Sequence, residues 1–188
     1  MKTTRFPSPR PAPFAAMLLA GLCVVCARTT DFATAGPAAA QTKSYGGAQI
    51  QEIYRLSLER DDLILEAINQ AIREHNIQDG AVLTTVGATQ ECRYHYVKNT
   101  AIQAEDVVVN QQGAAEILNA NGIIANGEPH IHITLATPDK GAFGGHLENG
   151  CKVAYVSEIT MAKFSGPPLT RTANKNGLTI LGAKKDER

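Results

Sequence analysis

Three histidines in the second half of this chain have the types and spacing that could support chemistry. His130 and His132 flank Ile131, and His146 follows shortly after Gly144-Gly145. Neutral imidazole is a common ligand for zinc and other divalent ions. A His-x-His pair with a third histidine nearby therefore indicates a divalent metal site, with zinc the leading metal. The alternative is that these polar side chains occupy the exposed or interface face of a half-buried strand.

A β-strand is predicted to position the first two histidines. From Pro129 to Leu135, apolar and polar residues alternate in the way that is typical of a half-buried strand. Residues two apart on a strand share a face. His130 and His132 should therefore point to one side of the sheet, while the isoleucines and the leucine between and after them point to the other.

A hairpin is predicted to bring the third histidine back beside the other two. Residues 138–141 have turn composition, and residues 142–147 should form the returning strand. His146 would then lie opposite either His132 or Ile133, depending on one residue of register. Gly144-Gly145 is a natural place for a β-bulge that would fix this register.

The motifs around these histidines resemble those of a known family. Glu116-Ile117-Leu118, then Gly127-Glu128-Pro129-His130-Ile131-His132-Ile133, then Gly144-Gly145-His146-Leu147, in this order, resemble the PPC domain (plants and prokaryotes conserved). Bacterial members of that family also carry the label "PD1-like DNA-binding motif". The resemblance covers about residues 49–165. It implies an α+β fold, with a mostly antiparallel β-sheet flanked by one long helix and short helices.

The resemblance also implies partners and a site. Family members are expected to form homotrimers, and one hypothesis for this chain is that a small-molecule or metal ligand binds between the subunits. Prokaryotic members are similar in placing three histidines, here His130, His132 and His146, as a metal site. Plant members carry AT-hooks and bind DNA, whereas this sequence contains no Arg-Gly-Arg-Pro core of an AT-hook.

Two further residues are candidates for the neighbourhood of the site. His95 lies on the polar face of a predicted strand, where we expect a solvated or ion-paired side chain or, alternatively, a fourth metal ligand. Glu158 is the carboxylate inside a predicted strand spanning residues 151–161. It could handle protons beside a metal, or it could form an ion pair at a sheet edge or interface.

The first forty residues are predicted to be a signal peptide and leader. Basic residues near the start precede an uncharged apolar run at residues 14–27, which is shorter than the ~20 residues of a membrane span and typical of a signal peptide. Cleavage is expected after Ala27 or Ala40, with the later site slightly favoured and residues 41–48 acting as a linker. We therefore expect a periplasmic or secreted protein without a membrane span.

Removal of this leader changes the charge balance. The whole chain has 18 basic and 18 acidic residues. Residues 1–40 hold four basic residues and one acidic residue, so 14 basic and 17 acidic residues remain, a net charge of −3. A mildly acidic domain lacks the clustered positive charge that binds nucleic acid. We therefore expect no nucleic-acid partner.

The remaining elements follow from hydrophobic pattern and turn residues. Strands are predicted at residues 49–59, 81–86, 91–97 and 107–109, and a helix is predicted to start at Asp61-Asp62 and continue through Ile72. By composition, residues 114–120 could form a strand or a helical turn, and the family resemblance favours a strand. Asn121-Gly122, Asn126-Gly127 and residues 148–150 are predicted turns, so that the last of these makes a three-stranded meander with the histidine hairpin. Residues 166–188 are interpreted as a C-terminal extension that could add an edge strand at residues 178–181 and that ends in a charged tail.

Two cysteines, Cys92 and Cys151, remain after the leader. An exported protein meets conditions in which disulfides form. Each cysteine lies among apolar neighbours of a predicted strand, however, so buried free thiols are expected at least as much as a bridge.

Three classes of function follow from these features. The first is an exported, trimeric metal-binding protein, and the second is a metal-dependent enzyme that acts on a small molecule. The third is a DNA-binding protein, which only the family resemblance favours. Fold resemblance cannot decide among these classes, because function depends on the site.

Overall fold

A computed structural model of the chain describes residues 42–184, so the predicted leader and most of the charged tail lie outside the described residues. The elements are β1 (Gln49–Glu59), α1 (Ile64–Glu74), β2 (Asp79–Val97), β3 (Asp106–Ala125), β4 (Glu128–Thr137), β5 (Gly141–Leu147), β6 (Lys152–Ser165), β7 (Leu169–Ala173) and β8 (Thr179–Ala183).

Six of these strands form one antiparallel sheet in the order β1-β6-β2-β3-β4-β5, and a further pairing joins β5 to β2. The pairing of β5 with β2 closes β2, β3, β4 and β5 into a ring. The predicted mostly antiparallel sheet is confirmed. The long helix and the short helices are not, because residues 42–184 contain a single α-helix of 11 residues. Within this described part, no helix has the length and apolar character needed to span a membrane.

The core is aliphatic and lies between the helix and the sheet. Ile64 and Ile68 of α1 are fully buried, as are Ile131, Ile133 and Leu135 of β4 to within a few per cent. Burying each such side chain contributes roughly 1.5–3 kcal/mol. On β4 this burial holds the apolar face inward, and the pleat then directs the histidine face outward.

The helix begins two residues later than the acidic pair Asp61-Asp62 suggests. Asp61 has a positive φ of 75°, which belongs to a turn and not to a helix. Asp62 donates its backbone N–H to Glu59 and accepts a hydrogen bond from the Glu59 N–H on its side chain. The pair therefore forms the turn after β1, and α1 starts at Ile64.

The strands β2 and β3 are longer than predicted and run through positions expected to be breaks. Gly87 lies within β2, where the register with β6 shifts. Asn121-Gly122 lies within β3 and does not turn the chain. Glycine is needed at position 122 because an added Cβ would collide with the carbonyl group of His130 on the neighbouring strand. Asn126-Gly127 does turn the chain, with positive φ at both residues.

The predicted meander of three strands is wrong. Residues Glu148 to Cys151 connect β5 to β6 without reversing the chain direction. Both strands therefore pair antiparallel with β2, one after the other along the same edge. Leu147 lies opposite Tyr94, and Lys152 lies opposite Glu91. Strand β5 therefore pairs with the C-terminal end of β2, at Tyr94 and His95. Strand β6 pairs with the preceding part of β2 and, on its other side, with β1.

The cysteines at this junction form a disulfide bond, the one of the two expected states that the sequence did not favour. Cys92 of β2 is bonded to Cys151, just before β6, with Cα atoms 3.8 Å apart. Both residues are buried. The bond joins β2 to the segment that connects β5 with β6. Local sequence patterns do not reveal this proximity, because the two cysteines are 59 residues apart.

The C-terminal extension forms its own two-stranded sheet. The predicted edge strand corresponds to β8, but it pairs with β7 and not with the main sheet. The hairpin is attached to the rest of the protein by side chains. Lys184 donates a hydrogen bond to the Asn126 side chain at 3.0 Å, and the Tyr45 hydroxyl donates to the Leu181 carbonyl at 3.3 Å.

Candidate metal centre

Three histidines from three adjacent strands form one row across the sheet. His132 of β4 lies directly opposite His146 of β5, which lies opposite His95 of β2. The alternative register, with His146 opposite Ile133, is excluded. No bulge interrupts the β4–β5 pairing. Gly144 and Gly145 instead permit close strand approach, because a Cβ at either position would collide with a backbone carbonyl oxygen of Ile133 or His95.

His130 completes a compact group with His132 and His146. One ring nitrogen from each of the three histidines can be chosen so that all lie within 4.8 Å of one another. The Nε2 atoms of His130 and His132 are 3.3 Å apart. Two nitrogen ligands of a tetrahedral zinc ion with Zn–N bonds of 2.0–2.1 Å are separated by about 3.3–3.4 Å. The donor set therefore fits a divalent ion.

The lowered pKa values of His146 and His130 also suit a metal. Burial is the main cause that lowers the pKa of His146 to about 4, and the neighbouring histidines lower it further. Partial desolvation of its ring lowers the pKa of His130 as well, although the residue as a whole is exposed, and the charge of Arg171 adds to this effect. Neutral imidazole keeps the lone pair that a metal ion requires. The site is open to solvent, since His130 and His132 are exposed and His146 is half-buried.

A histidine–carboxylate pair lies directly beside this group. His95 stacks on His146 with ring centroids 4.5 Å apart, and its Nδ1 lies 2.7 Å from Oε1 of Glu148. Its Nε2 is 3.9 Å from a carboxylate oxygen of Asp106. His95, His146 and Glu148 form a second group with metal-ligand proximity. The near-parallel stacking favours His95 as a neighbour of the three-histidine site, because a metal lies close to the plane of each ring that binds it.

Glu158 is not part of this neighbourhood. It lies on β6 between Ser57 of β1 and Val86 of β2, and β6 pairs with neither β4 nor β5. It lines an open groove with residues of β1 and β6, among them Arg55 and Thr160. A larger groove of about 650 Å³ lies between β1 and α1, and it also contains none of the clustered histidines.

Sequence reasoning missed two residues of the site. Glu148 follows His146 at a same-face spacing, a signal that was present but was hidden by the predicted turn at residues 148–150. Arg171 belongs to the C-terminal hairpin, and its positive charge contributes to the lowered pKa of His130. No local pattern indicates this influence, because it depends on how the hairpin packs.

Comparison with known proteins identifies related sequences and folds. A family model described as the Plants and Prokaryotes Conserved (PCC) domain matches residues 45–165. Two curated relatives, both bifunctional GlmU proteins from Synechococcus strains, are 27% identical over 121 and 122 residues. The match covers 62% of this chain and only 18% of each relative.

Solved structures show the same fold. A metal-containing protein from Archaeoglobus fulgidus is similar with a TM-score of 0.63 and 21% identity, covering 73% of this chain and 98% of that one. A plant- and prokaryote-conserved (PPC) protein from Pyrococcus horikoshii has a TM-score of 0.62 and 21% identity, covering 76% and 99%. A hypothetical protein from Salmonella has a TM-score of 0.63 and 17% identity, covering 76% and 98%.

Proposed function

We propose that this chain, which belongs to the Plants and Prokaryotes Conserved (PCC) domain family, is a metal-binding protein that holds one divalent ion through His130, His132 and His146. The observation that carries the proposal is the 3.3 Å separation of the His130 and His132 Nε2 atoms, with a nitrogen of His146 within 4.8 Å. Zinc is the metal we propose, because three imidazoles with an open fourth position are a common zinc ligand set. The metal-containing relative from Archaeoglobus fulgidus supports metal binding.

Loss of one histidine tests this proposal. Elemental analysis of the wild-type chain should find one divalent ion per subunit, and His132→Ala should bind it roughly a hundredfold or more weakly, since even changes outside the ligand shell cost 10–100-fold. His75→Ala is the matched control, because His75 stacks on Tyr54 away from the cluster. Equal metal content in the wild type and His132→Ala would contradict the proposal.

We further propose that the protein acts as a homotrimer. Apolar side chains remain exposed on β2 and β6, where Leu83, Val86, Tyr155 and Val156 are 45–70% exposed. Exposed apolar residues in such numbers are typical of surfaces that bind another protein. Sedimentation equilibrium should give three times the mass of one chain, and a monomer at micromolar concentration would contradict this.

A metal-dependent enzyme is the second candidate function, favoured by the pair of His95 and Glu148 beside His146. A divalent ion with an open coordination position supplies Lewis-acid chemistry. The His95 ring, held by Glu148, could accept a proton next to it. A screen of hydrolase and lyase substrates with and without chelator distinguishes this candidate, because only an enzyme would show chelator-sensitive turnover.

Nucleic acid is not a partner in this proposal. After loss of residues 1–40 the chain carries 14 basic and 17 acidic residues, so few clustered cations are present to release counterions from phosphates. The protein should therefore not shift an AT-rich duplex at physiological salt. Salt-sensitive binding with sub-micromolar affinity would restore the third candidate, a DNA-binding protein.

A further inference from the structure

The first strand of the main sheet has a hydrogen-bonded neighbour on one side only. Strand β1 stands at the end of the strand order and pairs with β6. In such an end strand, half of the backbone N–H and C=O groups point away from the partner. Within residues 42–184, no other backbone segment forms hydrogen bonds with β1 between Tyr54 and Leu58. These outward backbone groups are therefore available to an added strand.

The unpaired edge of β1 forms one wall of a groove of about 650 Å³, and α1 forms the other. All five consecutive residues from Tyr54 to Leu58 line this groove. Successive side chains of a strand point to opposite faces of the sheet, so a continuous lining of this kind means that the backbone edge faces the groove. Ala67 and Gln70 are among the residues that line the helix side. A groove between a strand edge and a helix, ~14 Å long on the strand side, suits an extended peptide.

The end of this groove near the turn between β1 and α1 carries negative charge. Asp61, Asp62 and Glu66 line it there. Two cations lie near Asp61: Arg60, at 4.0 Å, and Lys152, whose ammonium already forms an ion pair at 2.9 Å with a glutamate of β2. In the described part of the chain, neither Asp62 nor Glu66 forms a salt bridge. This end of the groove therefore favours a positively charged side chain.

The other cations around the groove do not neutralise its acidic end. Arg55 alternates along β1 with residues that pack toward the core, so its side chain belongs to the opposite face of the sheet. Arg73 is in the last turn of α1, about 10 Å along the helix from Glu66. Lys163 lies at that far end as well, where its ammonium donates to the His75 carbonyl.

We propose that the groove between β1 and α1 binds an extended peptide segment of another protein, which adds a strand to β1 and places a lysine or arginine near Asp62 and Glu66. Backbone pairing supplies affinity in this mode of recognition, and side-chain pockets supply selectivity. None of the clustered histidines lines the groove, so the inference does not depend on the metal centre. The exposed apolar residues that we propose for the trimer interface also lie outside it.

Selection from a phage-displayed library of random hexapeptides tests this proposal. The wild type should enrich sequences in which a lysine or arginine accompanies alternating β-branched or aromatic residues, which favour strands. Ala67→Phe should enrich none of them, because the larger side chain fills the groove. Ala101→Phe, in an exposed loop away from the groove, is the matched control and should enrich the same sequences as the wild type. Thermal denaturation confirms that both variants fold.

A synthetic form of the most enriched hexapeptide then tests the mode of binding without any change to the protein. Two versions are N-methylated, one at the odd and one at the even backbone nitrogens. Only alternate N–H groups of an added strand face its neighbour. In fluorescence anisotropy, one version should therefore lose binding, and the other should bind like the unmodified peptide.

The charge of Asp62 tests selectivity. Asp62→Asn keeps a side-chain oxygen that can accept the Glu59 N–H. It should weaken binding of the peptide about twofold to fivefold, the size of an ordinary surface ion pair. Asp139→Asn, in the turn between β4 and β5, is the matched control and should bind like the wild type.

Three outcomes would overturn the proposal. The first is that the wild type enriches no sequence over Ala67→Phe, and the second is that both N-methylated peptides bind equally well. The third is a smaller mass of Ala67→Phe than of the wild type in sedimentation equilibrium, which would assign the free edge to a second copy of this chain. The proposed metal site would stand in each case, since its own test is the metal content.

Discussion

At the scale of single residues, the protonation of the histidines decides when a cation can bind. His146 has its pKa lowered to about 4, first by burial and then by the other histidines. His130 has its pKa lowered by burial and by Arg171. An unperturbed histidine titrates near ~6.5. Protons therefore compete for these two ligands only at a lower pH than for free imidazole.

Metal binding should accordingly persist below pH 6.5 and disappear as the pH falls toward 4. Zinc affinity, measured by competition with a chromophoric chelator from pH 7 to pH 4, should show this shifted loss. In the metal-free protein, His146 binds protons less readily in the folded chain than in the unfolded chain between pH ~6.5 and about 4. The contribution of His146 to the free energy of unfolding therefore declines as the pH falls through that range. His146→Asn should lack this part of the decline. A wild-type profile with half of the zinc lost at pH 6.5 would contradict the prediction.

Residue-level reasoning identified the proposed ligands because strand parity is a local property. Alternation placed His130 and His132 on one face without any knowledge of the rest of the fold. Glu148 was missed because its contact with His95 joins distant parts of the chain. Glu158 was placed near the site only as long as β6 was expected to pair with β5.

At the scale of elements, the β4–β5 hairpin sets the geometry of the site. Its uninterrupted register places His146 opposite His132. Glycine at position 144 permits this register, because the Ile133 carbonyl oxygen occupies the space of a Cβ. The composition of the hairpin was enough to predict its strands and turn. The register was not predictable, since a bulge at Gly144-Gly145 and a close strand approach both call for glycine.

Gly144→Ala should therefore destabilise the protein and weaken zinc binding together. Overpacking of this kind costs about 1–3 kcal/mol, and here the obstacle is backbone, which yields little. Urea denaturation measures the free energy of unfolding, and Gly46→Ala is the control because nothing lies within 4 Å of a Cβ at that position. If the two variants were equally stable, the close approach of β5 to β4 at Gly144 would not be required for the geometry of the site.

At the scale of the whole molecule, the disulfide between Cys92 and Cys151 is in keeping with the export that we propose from the leader sequence. Cys92 and Cys151 are joined across 59 residues, and a loop of this length gives a stabilisation of about 4 kcal/mol by the chain-entropy estimate. Oxidising conditions outside the cytoplasm allow such a bond. The fold class was predictable from pattern and resemblance, but the ring closure and the disulfide arise from contacts between distant segments.

Expression with the native leader should yield exported, oxidised protein. Mass spectrometry should show a chain that begins at Arg28 or Gln41, and alkylation without reduction should modify neither Cys92 nor Cys151. The same protein after reduction should gain two alkyl groups and unfold at lower temperature. A full-length cytoplasmic chain with two free thiols would contradict export.

The central claim is that three imidazoles hold one divalent ion, and anomalous X-ray diffraction at the zinc absorption edge tests it most directly. Crystals of the zinc-loaded chain should show one anomalous peak per subunit, ~2.0–2.1 Å from a ring nitrogen of each of His130, His132 and His146. A map without a peak at this position, or with zinc bound only elsewhere, would contradict the claim and leave the histidines as polar residues on an exposed strand face.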